Sequence, residues 1–290
     1  MVIVRIWEGL GNQLFQYAYA RALQLRTGAR VYLDSDRCYK EELEGHRLQR
    51  PYGLVNFNIK ISQYKKMDKF FFFLRNKTYI EKIGFYLSKK KYAPIHFYRE
   101  TTLEYKESLK FIKGNYYLMG WFQNEEYFKE YRELLLKELK TKKKIRITKQ
   151  LKSILENEET VSIHIRRGDY RLDNNVLPVS YYEAAIAMIE TKVECPYYLV
   201  FSDDMEWVKV NFPQLSRCYY MTEERLPDYE ELMVMSRCKH NIIANSTFSW
   251  WGAWLNCNKN KTVIGPQVWF LNGKNRRINI MPDDWIRCEF

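Results

Sequence analysis

The 290-residue chain has no apolar run of ~18 residues, so a membrane-spanning helix is not expected. The strand-like residues 2–7 follow Met1 directly, and no basic-then-apolar export segment is expected. Cysteine is scarce: Cys38, Cys195, Cys218, Cys238, Cys257 and Cys288 form no CxxC pair, and the four histidines lie far apart. Neither a disulfide framework nor a zinc site is expected, and a soluble, cytoplasmic protein is. No repeat of 20–50 residues is visible, which argues against a solenoid. Basic and aromatic residues, by contrast, are plentiful. There are 47 Lys and Arg against 35 Asp and Glu, a net charge of +12, with 46% hydrophobic and 16% aromatic residues. Such a composition excludes a disordered chain. At roughly 100–200 residues per domain the length predicts two domains. The positive charge implies an anionic partner: nucleic acid, a phospholipid surface or a phosphorylated small molecule.

Residues 2–7 run into Glu8-Gly-Leu-Gly-Asn12 and then into a predicted helix over 13–26, where Leu14, Tyr17, Ala18, Arg21 and Leu25 recur at helical spacing. Gly28 closes that helix and residues 31–33 begin a second strand. This β-loop-α-β opening predicts a doubly wound sheet with its ligand groups at the strand C-termini. Helices are expected in residues 40–110. There Lys65, Lys66, Lys69, Arg75, Lys77, Lys82, Lys89, Lys90 and Lys91 interleave with Phe70 to Phe73, Tyr79, Phe85 and Tyr86. Two readings fit that segment: weak contact with an anionic membrane surface, or a solvated basic face over a Phe-rich core. Residues 116–121 read as a strand and 125–140 as an amphipathic helix. The basic run 140–146 then marks a boundary between domains 1–146 and 147–290. Beyond it, strands over 161–165, 197–201, 218–221, 240–244 and 262–264 alternate with helices over 181–190, 205–211, 229–237 and 248–255. That alternation predicts a parallel sheet, and hence two Rossmann-like α/β domains facing a cleft.

His164-Ile-Arg-Arg-Gly-Asp-Tyr170 puts two guanidiniums at a strand C-terminus. Their planar donor forks match phosphate oxygens, which favours a diphosphate guest, and the alternative is an ion pair of Arg166 or Arg167 with Asp169. His164 fits a general base, a packed and hydrogen-bonded core residue, or a group pointed at the base or phosphate of a nucleotide. Phe201-Ser-Asp-Asp204 ends another strand. Its carboxylates suit the N–H and NH₂ edge of guanine, while Ser202 and Asp203 equally suit a helix N-cap. In the segment 240–254, the hydroxyls of Ser246 and Thr247 open a helix whose N-terminus is an anion site. Trp250, Trp251 and Trp254 at helical spacing read as core. Gly9-Leu-Gly-Asn-Gln13 lacks the third glycine of a dinucleotide fingerprint, Leu14 standing in its place. Asp34-Ser-Asp36 has the spacing of a divalent-metal pair or of a turn.

Taken together, GLGNQLFQYAYARAL, HIRRGDY, VFSDDMEW and MSRCKHNIIANSTFSWWGAWLN resemble the α-1,2-fucosyltransferase family. The resemblance covers the opening residues and most of 160–270. It does not cover 40–110, where acceptor choice is expected to reside. It implies a GT-B architecture with the donor held mainly by the second domain. It also implies inverting transfer of L-fucose from GDP-fucose to a glycan acceptor, forming an α-1,2 link to the 2-hydroxyl of a galactoside, with no metal cofactor. By motif, Arg166 holds the diphosphate, with Arg167 supporting it or the shape of the motif, and Asp203 or Asp204, together with His164, contacts guanosine. Asn245, Ser246, Thr247 and Phe248, with Gly11 and Asn12 of the opening loop, complete the donor contacts. Asp169 and Glu8 are the candidates for accepting the acceptor's proton. The family's opening loop commonly begins Gly-Gly-Leu-Gly, and here Glu8 replaces the first glycine. A membrane-bound, lipid-linked acceptor would give the basic segment a purpose. Two rival readings are a metal-dependent glycosyltransferase using Asp34 and Asp36, and a nucleic-acid-binding protein. Nucleic acid is not the expected partner, because the basic cluster lies outside every chemical motif.

Overall fold

The computed structural model describes residues 1–39, 50–64, 95–224, 226–271 and 278–290. All nine basic residues of the aromatic segment, Lys65 to Lys91, fall outside the described residues, as do the membrane and solvated-face readings built on them. The chain divides into two compact units, Met1–Lys142 and Lys143–Phe290.

The first unit is built on a four-stranded parallel sheet of order β2-β1-β4-β3, with β1 Val2–Arg5, β2 Val31–Asp34, β3 His96–Arg99 and β4 Tyr116–Met119. β1 is buried along its whole length, as a parallel strand covered on both faces must be. Helix α1, Leu10–Thr27, ends at Gly28, whose φ of 67° closes the last turn through an N–H bond to the Gln24 carbonyl. From β1 the chain adds β2 on one side and later β4 on the other. The topological switch point therefore lies between β1 and β4.

Two expectations for this unit need correction. His96–Arg99 is a strand in the region expected to be helical. The helix expected over 125–140 is broken into 3-10 turns at Glu125–Tyr127 and Lys129–Tyr131, followed by α2, Arg132–Glu138. The cause is packing: consecutive Tyr127 and Phe128 are both buried against α1, edge-on to Tyr19 at 5.3 Å and to Phe15 at 6.0 Å.

In the second unit, α3 (Lys149–Asn157) is capped by the Thr148 hydroxyl, which accepts from the Leu151 N–H. There follow β5 Thr160–Ile165, α4 Val179–Glu190, β6 Tyr197–Ser202, α5 Met205–Asn211, β7 Cys218–Tyr220, α6 Asp228–Met235, β8 His240–Ile242, α7 Thr247–Leu255, β9 Val263–Pro266 and β10 Ile286–Cys288. The six strands are parallel in the order β10-β9-β8-β5-β6-β7. Val161, Ile163 and Ile165 of β5 pack in one core layer with Tyr181, Ala185 and Ile189 of α4. The two-residue period turns Ser162 and His164 to the other face, where Ser162 accepts from Asn241 at 2.7 Å. Trp250 and Trp251 are completely buried and Trp254 nearly so, which makes the tryptophans of α7 core. β8 returns beside β5 after β6 and β7 have been laid on the other side, so the switch point lies between β5 and β8. No described helix is long and apolar enough to cross a membrane.

Candidate active site

Ligands of open parallel sheets bind beyond the strand C-termini at a switch point. At the β5/β8 switch stand Arg166 and Arg167 from one strand end and Asn245, Ser246 and Thr247 from the other. Arg166 donates to Asp169 Oδ1 at 2.6 Å and pairs with Asp203 Oδ2 at 2.9 Å. Arg167 donates from Nε to Asp204 Oδ2 at 3.1 Å, its backbone N–H donates to Asp203 Oδ1 at 2.9 Å, and its guanidinium lies 3.4 Å from the centroid of Trp207. Arg171 reaches Asp204 at 3.8 Å. Three arginines thus meet three aspartates, and the mutual repulsion of the arginine pair is relieved by carboxylates. The two arginines differ in freedom. Arg167 is held by a carboxylate, a ring and the loop backbone, whereas Arg166 is tied partly to Asp169, an exposed residue on a short 3-10 turn.

Asp203 and Asp204 therefore face arginines in this structure. Neither caps α5: Asp204 occupies the cap position but makes no side-chain cap bond. Gly168 explains the close packing of the loop, since a Cβ there would lie 2.4 Å from Asp203 Oδ2.

His164 is buried beneath the start of α7, its ring 5.7 Å from that of Phe248. Burial, with Arg166 nearby, pushes its pKa down to about 3 against the opposing pull of Asp203. The imidazole is neutral at pH 7 and a poor general base. Its Nδ1 is buried without a hydrogen-bond partner, and so is Oδ1 of Asn245 on the adjacent strand end. The Asn245 amide is otherwise fixed, donating to the carbonyls of Asn175 and Trp269. Ser246 caps α7 by accepting from the Phe248 N–H at 3.3 Å. Tyr170 closes this side, its hydroxyl donating to the Asn245 carbonyl at 3.1 Å.

The depressed His164 pKa has a measurable consequence. Below its unfolded value of 6.5 the unfolded chain binds a proton that the folded chain refuses, so this residue's contribution is complete above pH 6.5 and is lost as pH falls towards 3. Between pH 6.5 and 5 the parent is expected to lose about 1.6 kcal/mol more stability than His164→Gln, the slope rising from half of roughly 1.4 kcal/mol per pH unit at pH 6.5 to nearly all of it at pH 5. Urea unfolding at the two pH values checks this. Equal losses in both proteins would refute a buried neutral imidazole.

The first-unit candidates gather at the other switch point. Glu8 leaves β1 with φ 64°, the left-handed region that suits glycine, at the position where the resembling family carries one. Its carboxylate accepts from Asn12 at 2.6 Å and from the Trp121 indole at 3.0 Å. Gly11 is buried inside the first turn of α1. Asp34, the first of the proposed metal pair, is nearly buried, accepting from the Tyr117 hydroxyl at 2.6 Å and from the Asp36 N–H at 3.2 Å. Among the described residues no three of His, Cys, Asp and Glu cluster as a metal site.

Sequence reasoning missed Trp207, Tyr170, Gly168 and Trp121 as parts of these sites. Trp207 closes the VFSDDMEW segment, and its place in that motif is the signal it gave.

The sequence profile of glycosyl transferase family 11 matches residues 66–287. The O-antigen biosynthesis glycosyltransferase WbnK of Escherichia coli is 34% identical over 96% of this chain and 97% of its own length. An alpha-1,2-colitosyltransferase of Escherichia coli is 31% identical over all of this chain and 99% of its own. Among solved structures, a mutant of Arabidopsis thaliana FUT1 in complex with GDP aligns with a TM-score of 0.51 at 12% identity, covering 99% of this chain and 73% of that one. That likeness concerns the fold alone, and with the two parallel α/β sheets it gives a GT-B-type architecture. On the extent of the profile match and the full-length identity of its relatives, the chain belongs to glycosyltransferase family 11 and is a glycosyltransferase.

Proposed function

We propose that the protein transfers L-fucose from GDP-fucose, with inversion and without a metal ion, to the 2-hydroxyl of a galactoside in a glycan. The observation that carries the donor site is the pair of orphaned polar atoms, His164 Nδ1 and Asn245 Oδ1, buried where the arginine cluster and the start of α7 converge. A buried polar atom left unpaired costs about 1–3 kcal/mol, which a bound nucleotide recovers by supplying the missing partner.

In this reading Arg166 exchanges exposed Asp169 for the diphosphate, and Arg167 stays between Asp204 and Trp207 as its support. The N–H groups and hydroxyls at the start of α7 bind phosphate oxygens. Asp204, which uses Oδ2 for Arg167, offers Oδ1 to the N1–H and N2–H₂ edge of guanine. As the bond from the sugar's anomeric carbon to the diphosphate lengthens, the ring becomes oxocarbenium-like and the diphosphate gains charge. A guanidinium on that diphosphate then stabilises the transition state more than the ground state. The acceptor hydroxyl attacks the face opposite the diphosphate, which inverts the anomeric centre. Asp169, once released from Arg166, is one candidate to take its proton.

The full-length likeness to a colitosyltransferase favours a second donor, GDP-colitose. Both donors belong in one experiment: GDP-fucose, GDP-colitose, GDP-mannose and UDP-galactose are offered with a β-galactoside, with and without excess EDTA. Expected are an α-1,2 product from GDP-fucose, unchanged activity in EDTA, and weaker competition by IDP than by GDP. Transfer from GDP-colitose alone would replace the donor. Loss of activity in EDTA with rescue by Mn²⁺ would overturn the metal-free mechanism and promote Asp34 and Asp36 to ligands.

A further inference from the structure

We infer that the first unit carries a pyranose subsite for the acceptor glycan at its β1/β4 switch point, with Trp121 as the stacking surface and Glu8 and Asn12 at its rim. The assignment of the sugar to the acceptor rests on the transfer reaction proposed above, whereas the binding of a pyranose does not.

Position comes first. Glu8 follows the end of β1 and Trp121 the end of β4, so both stand at the C-terminal edge of adjacent parallel strands, where such sheets take ligands. Trp7 and Trp121 pack with ring centroids 5.3 Å apart and a 31° tilt, and both are only half-buried. Trp250, Trp251, Trp254, Trp269 and Trp285 are all core residues. Trp207 is half-buried as well, but the Arg167 guanidinium lies on its ring, so Trp7 and Trp121 are the indoles that keep apolar area at the edge of the first sheet.

The rim is polar and ordered. Glu8 Oε2 accepts from both Trp121 Nε1 and Asn12 Nδ2, and Asn12 Oδ1 accepts from Gln123 Nε2 at 2.7 Å. Each side chain fixes the next, so a carboxylate and amides are held at the edge of the Trp121 ring. A pyranose has the matching chemistry, with a C–H face for the ring and hydroxyls for the rim. Charge narrows the choice further, because Glu8 repels a phosphate and a neutral polyhydroxylated ring avoids that cost.

The scaffold is bent to hold this arrangement. Glu8 has φ 64° and Phe122, next to Trp121, has φ 50°, both in the region that non-glycine residues adopt only at a cost. Buried Glu100 accepts from the backbone N–H groups of Trp121 at 2.6 Å and Phe122 at 3.0 Å, strapping the loop that carries the indole. Gly120 makes room for that strap: a Cβ there would lie 2.9 Å from the Glu100 side chain and 2.8 Å from the Phe122 ring. Glu100 is thus a positioning residue for Trp121.

The test compares the parent with Trp121→Ala and the milder Glu8→Gln in three measurements: saturation-transfer NMR with methyl β-galactoside and no nucleotide, calorimetric GDP affinity, and acceptor KM. The parent is expected to show saturation transfer to the galactoside, both variants to lose most of it, and their acceptor KM to rise about tenfold or more as a ring face or a charged hydrogen bond is lost. GDP affinity is expected to stay within about twofold, since the proposed nucleotide site is built from Arg166, Arg167 and the start of α7, and the subsite gives Asn12 to the acceptor in place of the donor contact that the resemblance implies. No galactoside signal from the parent, or unchanged signal and KM in folded Glu8→Gln, overturns the subsite. A fall in GDP affinity in both variants overturns it as well, by moving these residues to the donor. If no nucleotide sugar is turned over, the proposed reaction fails, and the saturation-transfer comparison still decides the subsite.

Discussion

Replacing Arg166 by lysine is expected to lower kcat/KM for donor transfer by about 100-fold or more, the range for losing one preorganised group on developing negative charge. Lysine preserves the charge and loses the fork. Arg166 uses both terminal nitrogens at once, on Asp169 and Asp203, so a diphosphate that displaces Asp169 is met by one prong while Asp203 fixes the other. An ammonium is a point charge on a flexible stem and holds one such partner well. Arg167→Lys is expected to act differently. Its guanidinium is stacked at 3.4 Å on Trp207 and bonded to Asp204, so its loss should lower the melting temperature as well as donor affinity. Calorimetric GDP affinity, steady-state rates and thermal unfolding on both variants separate the two roles. Near-normal turnover by folded Arg166→Lys would remove Arg166 from the reaction.

The strands that bracket the second-unit site were legible because central parallel strands are apolar along their whole length. Residues 161–165 and 197–201 could be read without structure for that reason. β3 and β10 were not. They are short edge strands, and His96-Phe-Tyr-Arg99 and Ile286-Arg-Cys288 mix polar residues into runs too brief to show a period. Charges placed directly after a buried strand are anomalous in any fold, so Arg166 and Arg167 stood out in the sequence. Their pairing with Asp203 and Asp204 was not visible, because the partners are brought together by the β5/β6 pairing and not by sequence spacing. Glu8 shows the opposite limit. A glutamate gives no signal for a left-handed backbone, and only the glycine usual in the resembling family marked the position as unusual. Trp121 read as a strand end, since sequence cannot tell a half-exposed indole from a core one.

Gly168→Ala is expected to weaken GDP binding by about 10-fold to 100-fold while the fold survives. The added methyl would lie 2.4 Å from Asp203 Oδ2 and 3.2 Å from its Cγ, so one side must move. Asp203 cannot move without loss: Oδ1 accepts from the Arg167 N–H and Oδ2 pairs with Arg166. Hydrogen bonds to a charged group are worth about 1.5–3 kcal/mol each, so displacing the carboxylate sacrifices most of what orients the two arginines. Moving the 166–168 backbone instead carries Arg166 away from its proposed phosphate contact, a charged hydrogen bond worth about 1.5–3 kcal/mol. The core under β5 is formed by Val161, Ile163 and Ile165 against α4 and is untouched by either route. A double-mutant cycle identifies the cause. With Asp203→Ala already in place the methyl has room, and Gly168→Ala is expected to add little further loss of GDP affinity. Additive losses in that cycle would mean that Gly168 acts through something other than its contact with Asp203.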